Sequence, residues 1–520
     1  MLIDKETRYD RQLRLWATTG QSNLESSHIC LINASSTGSE ILKNLVLPGI
    51  GEFTIIDHRY VSSRDLSGNF FLKHRDLGKG LAEAISVNLN ELNTDVKGHS
   101  INRNIRAILE EESPEFWDTY NVVIVSEYIS GLDILKEILW KKRIPLLIVN
   151  TVGFYGSLNL IANEITVIET HDPSRLYDLR IDKPWPELQQ FVDSIDLDAL
   201  DDTDHAHIPY IVIYIKALDS WKQDHNNQAP QNYNEKKQFR KYIESLSRNI
   251  NLEANFIEAS NSIHRALQKT EIPNSIQKLF EKVNILDENL TSSTPIFWIY
   301  IKALKRFVEL NNYQLPLPGK LPDMASDTTN YVKLQTLYRE KAKRDQELFT
   351  AEVIRILNAL GRSKDEISNE SITSFCKNSQ LLFVTQGSKK LYTSTLVQEL
   401  LDNTNESNKE NFNTLGIYFS ILTFNLFTEK YRRAPSLKDL EFFKMLFIEE
   451  FMVSPPVPSA IEATFKETLS HNTRSYHNLS SLMGGVVSQE VLKLATAQYT
   501  PLDNLFVFDG VRSISEKWKI

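Results

Sequence analysis

Cysteine is scarce in this chain of 520 residues, which holds only Cys30 and Cys376. Two cysteines can build neither a disulfide framework nor a four-cysteine zinc site, and their scarcity is typical of a reducing, intracellular compartment. Cys30 lies in an apolar run and is predicted to be a small buried hydrophobe. Cys376 lies in the amphipathic stretch SFCKNS, where no flanking pattern supports a nucleophile, so a structural role is predicted.

Long apolar runs and an excess of basic charge are also missing. No run reaches the roughly 20 apolar residues of a membrane-spanning helix, and the stretch MLIDKETRYDRQLRLW is too charged for a signal peptide. The chain carries 58 Lys and Arg against 67 Asp and Glu, which argues against a general nucleic-acid binder. We therefore expect a soluble intracellular protein, in the cytoplasm, the nucleus or both, with neither nucleic acid nor membrane as a partner.

The leading glycines of the loop are missing from a segment that otherwise has the pattern of a nucleotide-binding unit. Residues 27–57 predict a strand, a short loop, a helix and a second strand, the βαβ unit that holds a dinucleotide or ATP against a helix N-terminus. Glycine lets the backbone of such a loop approach a phosphate closely. Here the loop carries Asn33, Ser35 and Ser36 before its one glycine, Gly38. The segment predicts the architecture of an enzyme without its catalysis.

The sequence pattern changes twice along the chain. Residues 1–168 predict an α/β domain with buried parallel strands, such as NVVIVS at 121–126. Over 169–470 the strand signals thin out, and long amphipathic helices are predicted at 209–223, 235–248, 256–269, 295–310, 331–360, 412–431 and 436–452. Residues 471–520 predict a closing helix and a strand at 505–508. The expected fold is one α/β domain interrupted by a large, mainly helical insertion.

Gly484 and Gly485 stand in the middle of the predicted closing helix at 477–495. An interior glycine costs about 1 kcal/mol relative to alanine. We therefore expect the pair to mark a tight backbone contact with a neighbouring element.

Several segments resemble the activating enzymes for ubiquitin and ubiquitin-like modifiers, which share the ThiF/MoeB-like adenylation fold. The segments are YDRQLRLW at 9–16, LKNLVLPGIGEFTIID at 42–57, NFFL at 69–72, GGVVSQEVLKL at 484–494 and PLDNLFVFDG at 501–510. Within that family the chain most resembles the regulatory subunits, of the amyloid-precursor-protein-binding type, of the heterodimeric enzymes that activate the Nedd/Rub modifier. The segments specific to them are LRIDKPWPEL at 179–188, DHAHIPYIVI at 204–213 and KLQTLYREKAKRD at 333–345.

The resemblance implies a role in protein neddylation. A catalytic partner subunit binds ATP and magnesium, adenylates the C-terminal carboxylate of the Nedd/Rub modifier and carries the thioester cysteine. This chain is then the regulatory subunit, not an enzyme by itself, with no cofactor or metal of its own. Residues 1–168 and 471–520 form an inactive adenylation domain of ThiF type, and 169–470 form half of the domain that frames the partner's cysteine.

The ATP pocket of the active family members is matched only in part. Their glycine-rich loop is replaced at 33–38, and Asn69 stands where their arginine contacts phosphate. Glu127 takes the place of the aspartate that carries magnesium, and a glutamate there can still meet a cation. Asp57 matches the acid that holds the ribose. With the loop changed, we favour a structural role for Asp57, as the end of a strand and the cap of a turn.

Arg11 is the one catalytic element that the resemblance leaves intact. In the family the matching arginine crosses to the partner's active site and touches an ATP phosphate there. A permanently charged, fork-shaped donor of this kind acts as an arginine finger. Arg14, one turn further on, is predicted to form a salt bridge instead.

Two other functions stay open from the residues alone. The presence of Asp57 leaves open the function of an autonomous enzyme, either a divergent adenylating enzyme or a Rossmann-type nucleotide-dependent enzyme. Such an enzyme binds nucleotide without a partner. The chain can also be an adaptor protein without a role in activation, whose helical insertion binds a target.

His205 and His207 form a His-x-His pattern that can suggest a metal pair. No cysteine and no clear carboxylate ligand accompanies the two histidines in the sequence. A solvated loop is therefore predicted here rather than a metal site.

Overall fold

The computed structural model describes residues 5–172, 177–286, 290–403, 414–471 and 476–520. Its strands are β1 His28–Ile32, β2 Glu52–Ile56, β3 Lys97–Ile101, β4 Val122–Val125, β5 Leu146–Val152, β6 Tyr155–Ile161, β7 Glu164–Val167, β8 Phe383–Gln386, β9 Leu505–Asp509 and β10 Ile514–Trp518. Its helices are α1 Lys5–Arg8, α2 Asp10–Glu25, α3 Ser36–Val46, α4 Ser63–Gly68, α5 Leu81–Asn90, α6 Ile105–Glu111, α7 Leu132–Lys142, α8 Pro186–Asp193, α9 Asp202–His205, α10 Tyr210–Asp224, α11 Tyr233–Ser245, α12 Ala254–Asn261, α13 Asn274–Leu286, α14 Ile296–Leu310, α15 Thr328–Ala359, α16 Asn369–Asn378, α17 Ser394–Asn403, α18 Leu415–Tyr431, α19 Leu440–Phe451, α20 Ser459–Ser470 and α21 His477–Thr496.

The chain folds into two compact units. One unit combines Met1–Val167 with Phe383–Ile520, and the other is Ile168–Leu382. Among the described residues no helix is long and apolar enough to cross a membrane.

An eight-stranded sheet forms the centre of the first unit, in the order β10-β9-β6-β5-β4-β1-β2-β3. The five strands from β5 to β3 are parallel, and β6, β9 and β10 are each antiparallel to their neighbours. All four residues of β4 are buried, as expected of a strand covered on both faces. The sheet confirms the predicted α/β class. Its parallel strands also bring their carboxyl ends to one edge, where open α/β sheets bind ligands.

Helices cover both faces of this sheet. The core on one face includes apolar residues of α2, α3, α5 and α21, and the core on the other includes those of α6 and α7. Cys30 lies buried in the second core, as predicted, and burial raises the pKa of its thiol well above the ordinary value.

The C-terminal segment completes the sheet, since β9 pairs with β6 in the register Tyr155–Asp509 to Asn159–Leu505. Beside it, α21 packs on α3. A Cβ on Gly484 would lie 2.6 Å from the Cβ of Glu40 and 3.1 Å from its backbone carbon. A Cβ on Gly485 would meet nothing within 4 Å. The predicted tight contact is therefore confirmed at Gly484 and wrong at Gly485.

The structural boundary of the helical part differs from the predicted insertion at its C-terminal end. The predicted insertion runs to residue 470, whereas the second compact unit ends at Leu382. The reason lies in α17 to α20, whose apolar residues share one core with Tyr155 of β6 and Leu505 and Val507 of β9. Residues 415–423 of α18 are all buried, as expected of a helix that is apolar all round.

The second unit is mainly helical, and one of its cores is rich in aromatic residues, including Trp185, Tyr210, Tyr214, Phe239, Phe256 and Tyr338. The helices predicted at 209–223, 235–248, 295–310 and 331–360 are present within a few residues. The helix predicted at 256–269 is wrong in its second half, because α12 ends at Asn261 and a 3₁₀ turn follows at Ile263–Arg265. Asn and Ser at this end favour turns over helix. In the first unit, residues 412 and 413 of the helix predicted at 412–431 lie outside the described residues.

Candidate functional site

The loop between β1 and α3 is closed on itself by its own side chains. Ser35 is the N-cap of α3, and the N–H of Gly38 donates to Ser35 Oγ at 3.0 Å. Ser35 Oγ lies 2.8 Å from Ser126 Oγ, and Ser126 Oγ donates to the carbonyl oxygen of Asn33 at 2.6 Å. The backbone N–H of Gly38, which a glycine-rich loop presents to phosphate, is thus bound to a hydroxyl of the chain.

Gly38 allows α3 to pack closely against Leu31 and Ser126. A Cβ there would lie 2.7 Å from Ser126 Oγ and 2.9 Å from the side chain of Leu31. Close contact between α3 and the strand beneath it therefore requires glycine, the usual task of the last glycine in such loops.

Asp57 follows β2 and is engaged on both carboxylate oxygens. Arg59 Nε lies 3.0 Å from Oδ1 and 3.1 Å from Oδ2, and Arg59 Nη2 lies 2.6 Å from Oδ2. The backbone N–H groups of Ala34 and Arg59 donate to the same carboxylate at 2.8 and 2.9 Å. Asp57 therefore caps the turn that follows its strand.

The electrostatics of this pair hold Asp57 ionised. Burial by itself raises the pKa of the Asp57 carboxyl, but the hydrogen bonds and charge of Arg59, with the N–H of Ala34, outweigh burial and place that pKa below its ordinary value. The same guanidinium reaches Glu127, whose carboxylate lies 2.9 Å from Arg59 Nη1. The cation that Glu127 meets is thus a side chain of this chain.

Arg59 was not singled out by the sequence pattern. Its only signal was its position two residues after Asp57, in Asp57-His58-Arg59. An arginine so close to a candidate ribose acid can fold back and neutralise it.

Asn69 is buried and also bound within the chain. Its Nδ2 donates to Ser39 Oγ at 2.8 Å, and its Oδ1 accepts from the N–H of Phe71 at 3.0 Å. With Asp57 held by Arg59 and the loop closed by Ser35, these residues do not fit ATP. The described part of the chain also has no group of three or more His, Cys, Asp or Glu placed to hold a metal ion.

Arg11 lies apart from these residues in sequence, near the start of α2. It is exposed, and its side chain forms no hydrogen bond or ion pair with any described residue. Arg14 pairs with Asp10 at 3.0 Å, which confirms its predicted salt bridge. Arg11 thus differs from Arg8 and Arg14, each of which pairs with a described acid of this chain.

Tyr9 anchors the segment that presents Arg11. Its side chain is 2% exposed, and its hydroxyl accepts from Asn93 Nδ2 at 3.0 Å. Asn93 also accepts from Arg8 Nη1 at 2.9 Å. Ala17, at φ 55°, interrupts the helix after two turns. The first two turns of α2 are therefore held from their N-terminal side.

Two further predicted residues lie in the second unit. His205 is buried, with Nδ1 at 2.6 Å from a Glu253 carboxylate oxygen and its ring stacked on Phe256. The predicted solvated loop is therefore wrong for His205, whereas His207 is exposed.

Cys376 is buried in α16, and burial raises the pKa of its thiol well above the ordinary value. A thiol of this kind is inert, as expected of a structural cysteine.

Residues 9–520 match the ThiF family, and the chain is a member of that class of α/β protein. The NEDD8-activating enzyme E1 regulatory subunit of Gallus gallus is 35% identical over 99% of this chain and 98% of its own. The subunits of the same name from Xenopus laevis and Danio rerio are 34% and 33% identical, each over 99% of both chains. The chain belongs to the family of NEDD8-activating enzyme E1 regulatory subunits, which confirms the resemblance read from its motifs.

Proposed function

We propose that this chain is the non-catalytic subunit of a heterodimer that activates NEDD8. The names of the full-length relatives supply the modifier and the E1 assembly. The catalytic partner binds ATP and magnesium, adenylates the modifier and carries the cysteine that forms the thioester. This chain supplies structural support and one catalytic side chain.

The non-catalytic assignment rests on one observation: Arg59 binds the carboxylate of Asp57. A ribose hydroxyl needs a free carboxylate oxygen, and both oxygens of Asp57 already accept hydrogen bonds. Binding a nucleotide here would displace a charged donor rather than water, which costs much more than exchanging one hydroxyl for another. The nucleotide site therefore belongs to the partner.

Arg11 is the group that this chain lends to the partner's active site. It is exposed, without a partner among the described residues, and displayed by a segment anchored at Tyr9. A guanidinium stays charged at all physiological pH values and can neutralise charge on ATP during adenylyl transfer. Arg11 therefore acts in trans as an arginine finger.

The surface that surrounds α21 is suited to the partner. Leu15 of α2 is 56% exposed, Leu482 of α21 is 39% exposed, and Phe70, which stacks on His477 of α21, is 70% exposed. Apolar side chains gathered around one helix mark an interaction surface. We assign this face to the catalytic subunit. The second unit, Ile168–Leu382, is assigned to the domain that frames the partner's cysteine.

Reconstitution tests the proposal. ATP-dependent NEDD8 adenylation and thioester formation are measured with this chain alone, with the catalytic partner alone and with both. The proposal expects activity only in the mixture. Adenylation or ATP binding by this chain alone contradicts the non-catalytic assignment, and full activity of the partner alone contradicts a role in activation.

A further inference from the structure

A cleft lies in the first unit beside the Asp57–Arg59 pair, since Glu127, which pairs with Arg59, lines it. Its volume is about 930 Å³, at the upper end of the range of ligand clefts, about 300–1,000 Å³. It opens at the carboxyl ends of β4 and β5, the edge at which α/β sheets bind ligands. The proposed heterodimer chemistry uses none of it.

The walls of this cleft are mostly apolar. They include Ile129, Leu132, Ile148, Leu422, Leu426 and Phe451. The charged side chains around them largely neutralise one another, as in Glu110–Arg106 at 2.9 Å and Asp133–Lys136 at 2.6 Å. An uncharged ligand with apolar side groups is complementary to such a site.

Two amides in the cleft present one unused donor and one unused acceptor. Asn425 Nδ2 donates to Asn150 Oδ1 at 3.2 Å. Neither Asn150 Nδ2 nor Asn425 Oδ1 has a hydrogen-bond partner within the described ranges. If the oxygen and nitrogen of both amides are exchanged, one donor and one acceptor still remain. A peptide group, with its N–H and C=O, satisfies such a pair.

The N-terminus of α7 adds donors on the same wall. Its N-cap is Gly131, at φ 89°, which supplies no capping side chain. The first backbone N–H groups of a helix have no partner within it, and Leu132 and Asp133, which carry two of them, line the cleft. Carbonyl oxygens of a peptide can accept from these groups.

We propose that this cleft binds an extended, uncharged segment of a partner protein. The segment pairs one main-chain amide with Asn150 and Asn425 and buries apolar side chains against the cleft walls. It does not extend the sheet, because β5 is already paired on both sides, with β4 and with β6. A phosphorylated or nucleotide ligand is disfavoured because acidic side chains outnumber basic ones around the cleft: Glu110, Glu127, Asp133, Glu429 and Glu450 against Arg106, Lys136 and Lys390.

The test uses the full chain in complex with its catalytic partner. The probes are N-acetylated, C-amidated hexapeptides of Leu, Val and Ala with a fluorescent label, and the same peptides with N-methylated backbone amides. Unmethylated peptides are expected to bind with a Kd below about 1 mM. N-methylation and the variant Asn425→Leu are each expected to weaken binding about tenfold. Asn358→Leu, at an exposed position of α15, is the matched control and leaves binding unchanged.

A benzophenone-labelled peptide maps the site on the unaltered complex, so the proposal stays testable even if Asn425→Leu disturbs folding. Crosslinks are expected in 129–134, 390–394 and 422–426. Three results would overturn the proposal: no binding at millimolar peptide, equal binding of methylated and unmethylated peptides, or crosslinks confined to other segments. Displacement of the peptide by MgATP would also overturn it, by reassigning the cleft to a nucleotide.

Discussion

Arg59 and Asp57 form a closed pair at the carboxyl edge of the sheet, with nitrogen–oxygen distances between 2.6 and 3.1 Å. The carboxylate is fully buried, while the guanidinium is 40% exposed. The pair places a cation of the chain at the position where the resemblance predicts a ribose. Arg59 also pairs with Glu127, so one arginine neutralises both Asp57 and Glu127.

Arg59→Ala is expected to lower the free energy of unfolding of the first unit by about 2 kcal/mol. The change leaves the buried Asp57 carboxylate without its cation, which costs 3–5 kcal/mol for fully buried pairs, and the exposure of the guanidinium reduces that figure. Denaturant unfolding of the purified complex measures it. Arg64→Ala, at an exposed position of α4, is the control and changes stability by less. An equal loss in both variants would contradict a special role for Arg59.

The stability difference between the natural chain and Arg59→Ala is expected to depend on pH. In the natural chain the folded pKa of Asp57 is lowered, so its contribution is fully present above the unfolded value of about 4 and is lost as the pH falls through the folded value. In the variant, burial without Arg59 raises that pKa instead. The difference in Tm should therefore be largest at neutral pH. It should shrink as the pH falls through the acidic range, first through the raised pKa of Asp57 in the variant and then through its lowered pKa in the natural chain. A constant difference across this range would refute the linkage.

Gly484→Ala and Gly485→Ala are expected to have opposite effects, although the two residues are neighbours in α21. The new Cβ at position 484 meets Glu40 of α3, and overpacking of this kind costs about 1–3 kcal/mol. At position 485 the Cβ meets nothing within 4 Å, and alanine stabilises a helix interior by about 0.5–1 kcal/mol. Thermal unfolding of both variants decides the matter, and two destabilised variants would show that the α3–α21 contact is misassigned.

Arg11→Ala is expected to lower NEDD8 adenylation by the reconstituted enzyme about 100-fold or more, by analogy with other arginine fingers. The loss should appear in the rate of adenylate formation, while the heterodimer still assembles. Arg14→Ala is the matched control, because Arg14 pairs with Asp10 on the same helix, and it should retain near-normal rates. Arg11→Lys keeps the charge without the fork and should recover only part of the activity. Normal adenylation by Arg11→Ala would assign a scaffold role to this segment.

The sequence predicted the α/β class, the parallel strands and the defect of the loop, since these depend on local patterns. The buried run at 122–125 and the serines at 35 and 36 needed no knowledge of the fold. The closure of Asp57 by Arg59 could not be predicted, because it depends on the direction in which one long side chain folds. The burial of His205 was missed for a similar reason, since its partner Glu253 lies 48 residues further along the chain.

Domain boundaries were harder to predict than elements. Residues 383–470 have the same amphipathic helical pattern as the residues before them. Tertiary contacts, such as those of α17 to α20 with β6 and β9, place them in the first unit. The difference between Gly484 and Gly485 is equally invisible in the sequence. It depends on which side of α21 faces α3.

The pairing of β6 with β9 has a consequence for biosynthesis. The backbone of β6, Tyr155–Ile161, leaves the ribosome more than 300 residues before the strand that covers its open edge, Leu505–Asp509. Until β9 and α21 have been translated, that edge and the face of α3 that receives Gly484 stay uncovered, and unpaired strand edges are prone to aggregate. Nascent chains of this protein therefore carry an unfinished sheet while more than 300 further residues are synthesised. Truncation within the last strands should leave a chain that chaperones and proteases recognise as incomplete.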